Sequence, residues 1–460
     1  MTVDTRLLIR GGRILDPGSG IDRVADLLVE DGRIAELGSP AVEGSTGWLD
    51  ARGLIVSPGF VDIHCHLREP GYEEKETIAT GTAAAAAGGF ATVCCMPNTL
   101  PPLDSRSILD WLKQRTEREA FVNVLPIGCI TVGRRGEQLA DMAQLADAGA
   151  VAFSDDGDPV SSERLMRRAM ERSAATGLLL IDHCEDKALS GEGVMNEGEL
   201  SRNLGLKGIP RSAEEAIVAR DLCLSRLTGA RIHIAHVSTS GSVDLVRRAK
   251  DEGIPVTAEA TPHHVTLTED SVVRGGRHDL SPGLGGGAAP VCDANAKVNP
   301  PLRTRHDVCA LVEGLRDGVI DAVATDHAPH APADKSVGFD RAAFGISGLE
   351  TAFGCLMGLV HQGDLSLRTL VSRLTEGPAK VIGRDAELGA LRVGVPANIT
   401  LFDPNGEWMV DSRRFASKGR NSPWHGVTLR GRVVATVVNG RLAYKDASIP
   451  WHLCGNGLVG

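Results

Sequence analysis

The sequence predicts an α/β protein: a parallel (β/α)8 barrel joined to a small β-domain assembled from both ends of the chain. Three observations predict it. Eight short apolar runs alternate with helix-like segments through the middle of the 460 residues, the pattern of a parallel sheet wound with helices. Both ends instead carry short strands separated by tight turns. Finally, the polar residues able to bind a ligand gather where the eight runs end, the face on which such barrels carry their sites.

The chain begins with antiparallel β. Residues 1–56 contain "RLLIRGGRILDPGSG" and "VADLLVEDGRIAELG", with Gly11-Gly12 and Asp31-Gly32 marking tight turns. Residues 57–388 form the barrel. Its strands are "FVDIHCH", "FATVCCMPN", "FVNVLPIGC", "AVAFSDDG", "LLLIDHCED", "RIHIAHVS", "PVTAEATPHH" and "IDAVATDHAPH". Their near-continuous apolar character fits a sheet covered on both faces. Segments such as "SERLMRRAMERSAATG" and "AEEAIVARDLCLSRLTG" supply the helices between them. Residues 389–460 return to β, with "ANITLFDPNGEWMV" and "GVTLRGRVVATVVNGRLAYKD". Neither end is large enough to fold alone, so the two build one domain.

Composition narrows the function. With 42% hydrophobic and 23% charged residues the chain is an ordinary globular protein. A net charge of −10 and the lack of a basic cluster argue against a nucleic-acid partner. No secretory signal opens the sequence and no apolar run reaches the length of a membrane span. The 10 cysteines are scattered, several of them in apolar strands (Cys94, Cys95, Cys129), and none forms a C-x-x-C pair. They read as buried thiols in a reducing cytoplasm.

The first strand carries the sharpest signal. In a strand, residues i and i+2 share a face, so His64 and His66 project together with Cys65 opposite. Two parallel neutral imidazoles chelate a divalent metal; the plain alternative is a pair of hydrogen-bonded histidines. Other strand ends add Asn98, Asp155 and Asp156, His183, His236, Asp326 and His330. His233 lies at an odd step from His236 and is expected against a helix. His263 and His264 are adjacent, so both cannot point inward, and are expected in supporting positions. Asp62 and Asp182 are expected to be structural. Four histidines (64, 66, 183, 236) and two carboxylates (155 or 156, and 326) exceed one tetrahedral zinc but suit two, bridged by a carboxylate. Mn²⁺, Co²⁺ and Fe²⁺ are substitutes the same donors accept. Parity leaves Asp155 and Asp156 equivalent. Asp326 could shuttle a proton. Arg68 beside Asn98 suits a substrate carboxylate, the alternative being an ion pair with Glu69 or Glu73.

Together "DIHCHLREPG", "MPNT", "SDDG", "DHCED", "HVST", "KVNPPLR" and "ATDHAPH" resemble the dihydroorotases of the amidohydrolase superfamily, and more narrowly their bacterial type I branch, from about residue 5 to 445. The resemblance implies a distorted (β/α)8 TIM barrel with a β-sandwich from both termini. It implies two Zn²⁺, one on His64, His66 and Asp326, the other on His183 and His236, bridged by Asp156. It implies that Arg68, Asn98, Asn299 and His330, with His66 adjacent and Phe344 and Gly345 closing the far side, hold the substrate. Asp326 would be the general acid/base. The implied reaction is the reversible cyclisation of N-carbamoyl-L-aspartate to L-dihydroorotate in pyrimidine synthesis. Related hydantoinases, dihydropyrimidinases and allantoinases bridge their metals with a carboxylated lysine, and "VAFSDDGDPV" has none. Inactive family members that scaffold aspartate transcarbamoylase have lost metal ligands, whereas this chain keeps every one. A homo-oligomer is expected, and the resemblance allows association with such a transcarbamoylase. One departure is "RGGRHDLSPGLGGGAAPVCDANA", residues 274–296, expected to be a flexible loop leading to Asn299. The segment 327–340 is expected to cover the substrate.

Overall fold

The computed structural model describes residues 6–40, 47–273 and 291–447, and the backbone alone of 451–452. Most of the expected loop, residues 274–290, lies outside the described residues. Beyond it, Cys292 bridges to Val273 and a short 3-10 turn covers Ala294–Ala296.

The terminal strands are β1 (Leu7–Asp16), β2 (Ile21–Glu30), β3 (Arg33–Gly38), β4 (Gly47–Asp50) and β5 (Ile55–Pro58). The barrel follows with β6 (Phe60–Cys65), β7 (Phe90–Cys95), β8 (Asn123–Gly128), β9 (Ala152–Phe153) and β10 (Leu179–Asp182). A two-stranded ribbon, β11 (Met195–Asn196) and β12 (Gly208–Ile209), precedes the barrel strands β13 (Ile232–Ile234), β14 (Val256–Ala260) and β15 (Ala322–Val323). The chain ends with β16 (Ile399–Met409), β17 (Thr428–Val438), β18 (Arg441–Lys445) and β19 (Trp451–His452).

Each of the eight expected barrel runs forms one parallel strand, in the order β6-β7-β8-β9-β10-β13-β14-β15. The ring closes beyond the formal strands: the Asp326 amide donates to the His64 carbonyl and the His66 amide to the His327 carbonyl, each at 2.9 Å. Every residue of β6 and β7 is buried, as a sheet sandwiched between side chains and helices requires. The helices have ordinary local causes. Thr77 and Thr304 cap helices Ile78–Ala87 and Arg305–Asp317 with capping boxes. Gly177, at φ 75°, ends helix Glu163–Thr176 in the left-handed turn that glycine permits.

The termini pair as one sheet of nine strands, β18-β17-β16-β5-β1-β2-β3, with β4 on β1 and β19 on β4. Strand β5 links the halves, parallel to β1 and antiparallel to β16, and it straddles the expected boundary at residue 56. Register shifts bend β1, β16 and β17, as bulges do in curled sheets. Ile14, Leu27, Leu49, Ile399, Leu401 and Val437 share an apolar core separate from that of the barrel. Among the described residues, no helix is long and apolar enough to cross a membrane.

Candidate metal centre and substrate cleft

The two-residue periodicity of β6 brings His64 and His66 out together at the barrel mouth, as the sequence predicts. The turns after β9 and β15 then place two carboxylates between four imidazoles. Asp156 Oδ1 lies 3.4 Å from His64 Nε2, 3.6 Å from His183 Nδ1 and 3.6 Å from His236 Nε2. Asp156 Oδ2 lies 3.5 Å from His66 Nε2. Asp326 Oδ1 is 3.0 Å from His66 Nε2 and 3.6 Å from His64 Nε2. Two overlapping triads capable of holding a cation result, His64–Asp156–His236 and His64–His66–Asp326.

The donor set fits divalent metal, and the geometry supplies a second reason. His64 Nε2 and Asp156 Oδ1 are buried without a hydrogen-bond partner, a cost of about 1–3 kcal/mol per group unless something else satisfies them. The imidazoles are also aimed. His64 Nδ1 lies 2.6 Å from Glu259 Oε1, and His66 Nδ1 lies 2.8 Å from the carbonyl oxygen of Asn98, so each ring turns Nε2 toward the carboxylates. Burial opposes charge on Asp156, yet the imidazoles of His64, His183 and His236 hold its carboxyl well below the usual range. Asp326 is held low in the same way, chiefly by His66 and His64. His236 and Asp326 adopt positive φ, 31° and 46°, and Arg68 does so at 63°. Such conformations cost roughly 1–3 kcal/mol in non-glycine residues and concentrate at functional sites.

Asp155, the alternative to Asp156, faces away. Its carboxylate accepts from the amides of Ile130 and Thr131 and from the Thr131 hydroxyl. Asp62 and Asp182 are structural as expected: Asp62 accepts from the Thr325 amide and hydroxyl, and Asp182 lies beside Arg220. His233 departs from expectation. It does not pack against a helix but is wedged between strands, with Nδ1 2.8 Å from the Thr257 hydroxyl and Nε2 3.2 Å from Glu259. The buried acid draws it there. His263 and His264 occupy a short helix, Pro262–Thr266, where His264 Nε2 meets the Pro300 carbonyl beside Asn299.

A cleft of about 400 Å³ opens over this cage, lined by His66, Arg68, Asn98, Asn299, His330, Phe344 and Gly345 among others. Arg68 makes neither alternative ion pair. Glu69 pairs with Arg115 at 2.8 Å, Glu73 accepts from the Gly71 amide, and the Arg68 Nε donates to the Pro329 carbonyl. Asn98 spends its oxygen on His66, which leaves its NH₂ for the cleft. Asn299 donates to Glu185 at 2.9 Å. His330 Nε2 donates to the Phe344 carbonyl at 2.8 Å. Burial and the Arg68 charge push His330 down to about 3, so its ring is neutral.

Three contributors escaped the sequence reading. Glu259 orients His64 and accepts from the His236 amide; a lone acid in the apolar run "PVTAEA" was its signal. Glu185 contacts His183 Nε2 at 3.0 Å and Asn299. Asn421 binds the Ala328 and Gly345 carbonyls beside the cleft from far along the chain, with no local signal in the sequence.

A closed parallel barrel with four imidazoles and two carboxylates caged at its strand ends defines a metal-using amidohydrolase. Residues 53–242 match the family model for Dihydro-orotase-like proteins, and residues 294–444 that for the Amidohydrolase family. The dihydroorotase of Caldanaerobacter subterraneus subsp. tengcongensis is 49% identical over 96% of this chain and 97% of its own. That of Citrifermentans bemidjiense is 50% identical over 95% and 99%. The chain therefore belongs to the dihydroorotase family, and it is an enzyme of the cyclic amidohydrolases. Among solved structures, the L-hydantoinase of Arthrobacter aurescens superimposes with a TM-score of 0.82 at 26% identity, over 99% of this chain and 98% of that one.

Proposed function

We propose that the protein interconverts N-carbamoyl-L-aspartate and L-dihydroorotate in pyrimidine synthesis, using two zinc ions. His64, His66 and Asp326 would hold one ion, His183 and His236 the other, with Asp156 shared between them. The observation that carries this reading is the cage itself, in which Asp156 faces all four imidazoles at 3.4–3.6 Å. When bound, such ions would lower the pKa of a water and polarise a carbonyl.

The rest of the chemistry falls to the chain. In the hydrolytic direction, water attacks the ring amide carbonyl and the carbon–nitrogen bond breaks. Asp326, ionised at neutral pH, takes one proton of the water and delivers it to the departing ring nitrogen, which becomes the carbamoyl NH₂, and the new carboxyl group releases the second proton to solvent as it ionises. Arg68 and the NH₂ of Asn98 bind the substrate carboxylate. His330 is neutral, its Nε2–H is donated to the Phe344 carbonyl and its Nδ1 is buried beside Asp334, so its ring shapes the cleft wall near Arg68. Asn299, Phe344 and Gly345 close the wall, while Arg68 and Asn98 fix the ring against Asp326, which matters as much as the proton transfer.

We also assign residues 57–388 to the catalytic unit, and 1–56 with 389–460 to the sheet domain, which its separate apolar core supports. The nine described cysteines are unpaired, in keeping with a cytoplasmic setting. A homo-oligomer, alone or with a transcarbamoylase, completes the reading.

Metal analysis with a turnover panel tests it. About two metals per chain are expected, with L-dihydroorotate strongly preferred over dihydrouracil, hydantoin and allantoin. Asp326→Ala should lower kcat by about 10³-fold or more. Turnover of dihydrouracil without dihydroorotate, or robust activity in Asp326→Ala, would overturn the assignment.

A further inference from the structure

Between β16 and β17 the chain leaves the terminal sheet and runs over the barrel mouth as segment 411–426. Its tip is pressed against the loops that wall the substrate cleft. Gly419 sits so close that a Cβ there would lie 2.2 Å from Ser347 Oγ and 2.6 Å from Pro329 Cβ. The Ser417 hydroxyl and the Lys418 amide both bind Glu76, which also accepts from His327, the neighbour of Asp326.

Asn421 makes the central contact. Its side chain is buried, and both ends are fully used. The carbonyl oxygen accepts from the His330 amide at 3.1 Å and from the Ser347 hydroxyl at 2.8 Å. The NH₂ donates to the Ala328 and Gly345 carbonyls, each at 3.0 Å. The Ser347 amide returns a bond to the Asn421 carbonyl at 2.9 Å. One amide therefore ties the loop after β15 to the loop carrying Phe344 and Gly345. Those two loops also meet through the His330–Phe344 hydrogen bond, the Ala328–Ile346 amide bond, and bonds of Asp334 and Lys335 to Ala343. Gly345 needs the support: at φ 141° it takes a conformation open chiefly to glycine, 2.7 Å being all that a Cβ would have from Ala328.

We propose that Asn421 is a positioning residue for substrate binding: the terminal sheet reaches over the barrel through it to fix His330, Phe344 and Gly345 at the wall of the cleft. Asn421 touches neither the metal cage nor the reacting atoms. Its loss should loosen the grip on substrate while the proton-transfer machinery stays intact, so KM should move and kcat should not. The inference rests on the dihydroorotate reading of the cleft.

The test is steady-state kinetics of Asn421→Asp with L-dihydroorotate, beside metal content. Aspartate preserves size and both acceptor bonds but sets an oxygen against the Ala328 and Gly345 carbonyls. We expect KM to rise about tenfold, kcat to stay within about threefold, and bound metal to match wild type. Ser347→Ala, which removes a single donor to Asn421, should raise KM about two- to fivefold and provides the measurement if the first variant fails to fold. An unchanged KM in a folded, metal-loaded Asn421→Asp, or in Ser347→Ala where that variant does not fold, overturns the proposal. So does a fall in kcat at constant KM. If wild type itself does not turn over L-dihydroorotate, the functional reading fails; if it does and KM in the variant holds, only the role of Asn421 fails.

Discussion

The cage and the cleft wall above it are built by different means. The cage is made of strand ends, where the ladder fixes each backbone and a single outer carboxylate or amide suffices to aim a ring, as Glu259 does for His64 and Asn98 for His66. The wall is made of loops, which meet the barrel ladder only through isolated bridges of His327 to Cys65 and Ile346 among the described residues. Its residues are fixed by bonds to distant parts of the chain: Asn421 on Ala328, His330 and Gly345, and Lys297 accepting from the Gly345 amide. The difference separates chemistry from recognition. Damage to the cage should appear in metal content and kcat, damage to the wall in KM.

The sharpest way to break that division is within the cage, at two adjacent acids. Asp156→Asn should remove most bound metal and essentially all turnover, because that carboxylate faces all four imidazoles. Asp155→Asn should keep its metal and lose about 1–3 kcal/mol of stability instead, because its carboxylate serves the buried amides of Ile130 and Thr131. Metal analysis and denaturant melts on the two proteins decide it. A metal-free Asp155→Asn beside a loaded Asp156→Asn would reverse the assignment.

A smaller effect is expected one shell out. Glu259→Gln keeps the shape but removes the charge that faces His64 and His233. Outer carboxylates of this kind typically contribute about 10- to 100-fold in metal affinity. Chelator competition should show a loss of that size, with KM for substrate unchanged once metal is saturating. Wild-type metal retention would mean that the ladder alone positions His64.

The same division explains what the sequence made legible. His64, His66, His183, His236 and Asp326 were readable because strand period and strand ends dictate where they point. Asp155 and Asp156 were not separable, because the two-residue strand β9 ends before them and a turn has no parity. His233 was misplaced for a related reason. Strand β13 ends at Ile234, so its alternation does not carry to His236, and Glu259 on the next strand gives His233 a buried partner that also faces His64. Asn421 was invisible, since a residue acting 76 positions away on Gly345 leaves no trace in local pattern.

The smallest effect should touch neither metal nor substrate, although it arises on the same overlying segment. Glu350 accepts from the Ser417 amide and lines a second cavity of about 420 Å³, between helix Ala352–Gln362 and strands β16 and β17. Burial pushes its carboxyl up to about 7, against the pull of the Ser417 and Ala416 amides and Arg420. The folded protein therefore binds a proton more tightly here than the unfolded chain, whose glutamates titrate near 4.5. The contribution of this group is fully present below about pH 4.5 and is lost as pH rises through about 7. Glu350→Gln should abolish that slope, so the melting temperature of the variant, relative to wild type, should climb from pH 4.5 to pH 8 and then level off. Parallel melting curves across that range would show that the acid is already ionised in the fold. A change in kcat or KM at fixed pH would mean that this side of the overlying segment reaches the cleft after all.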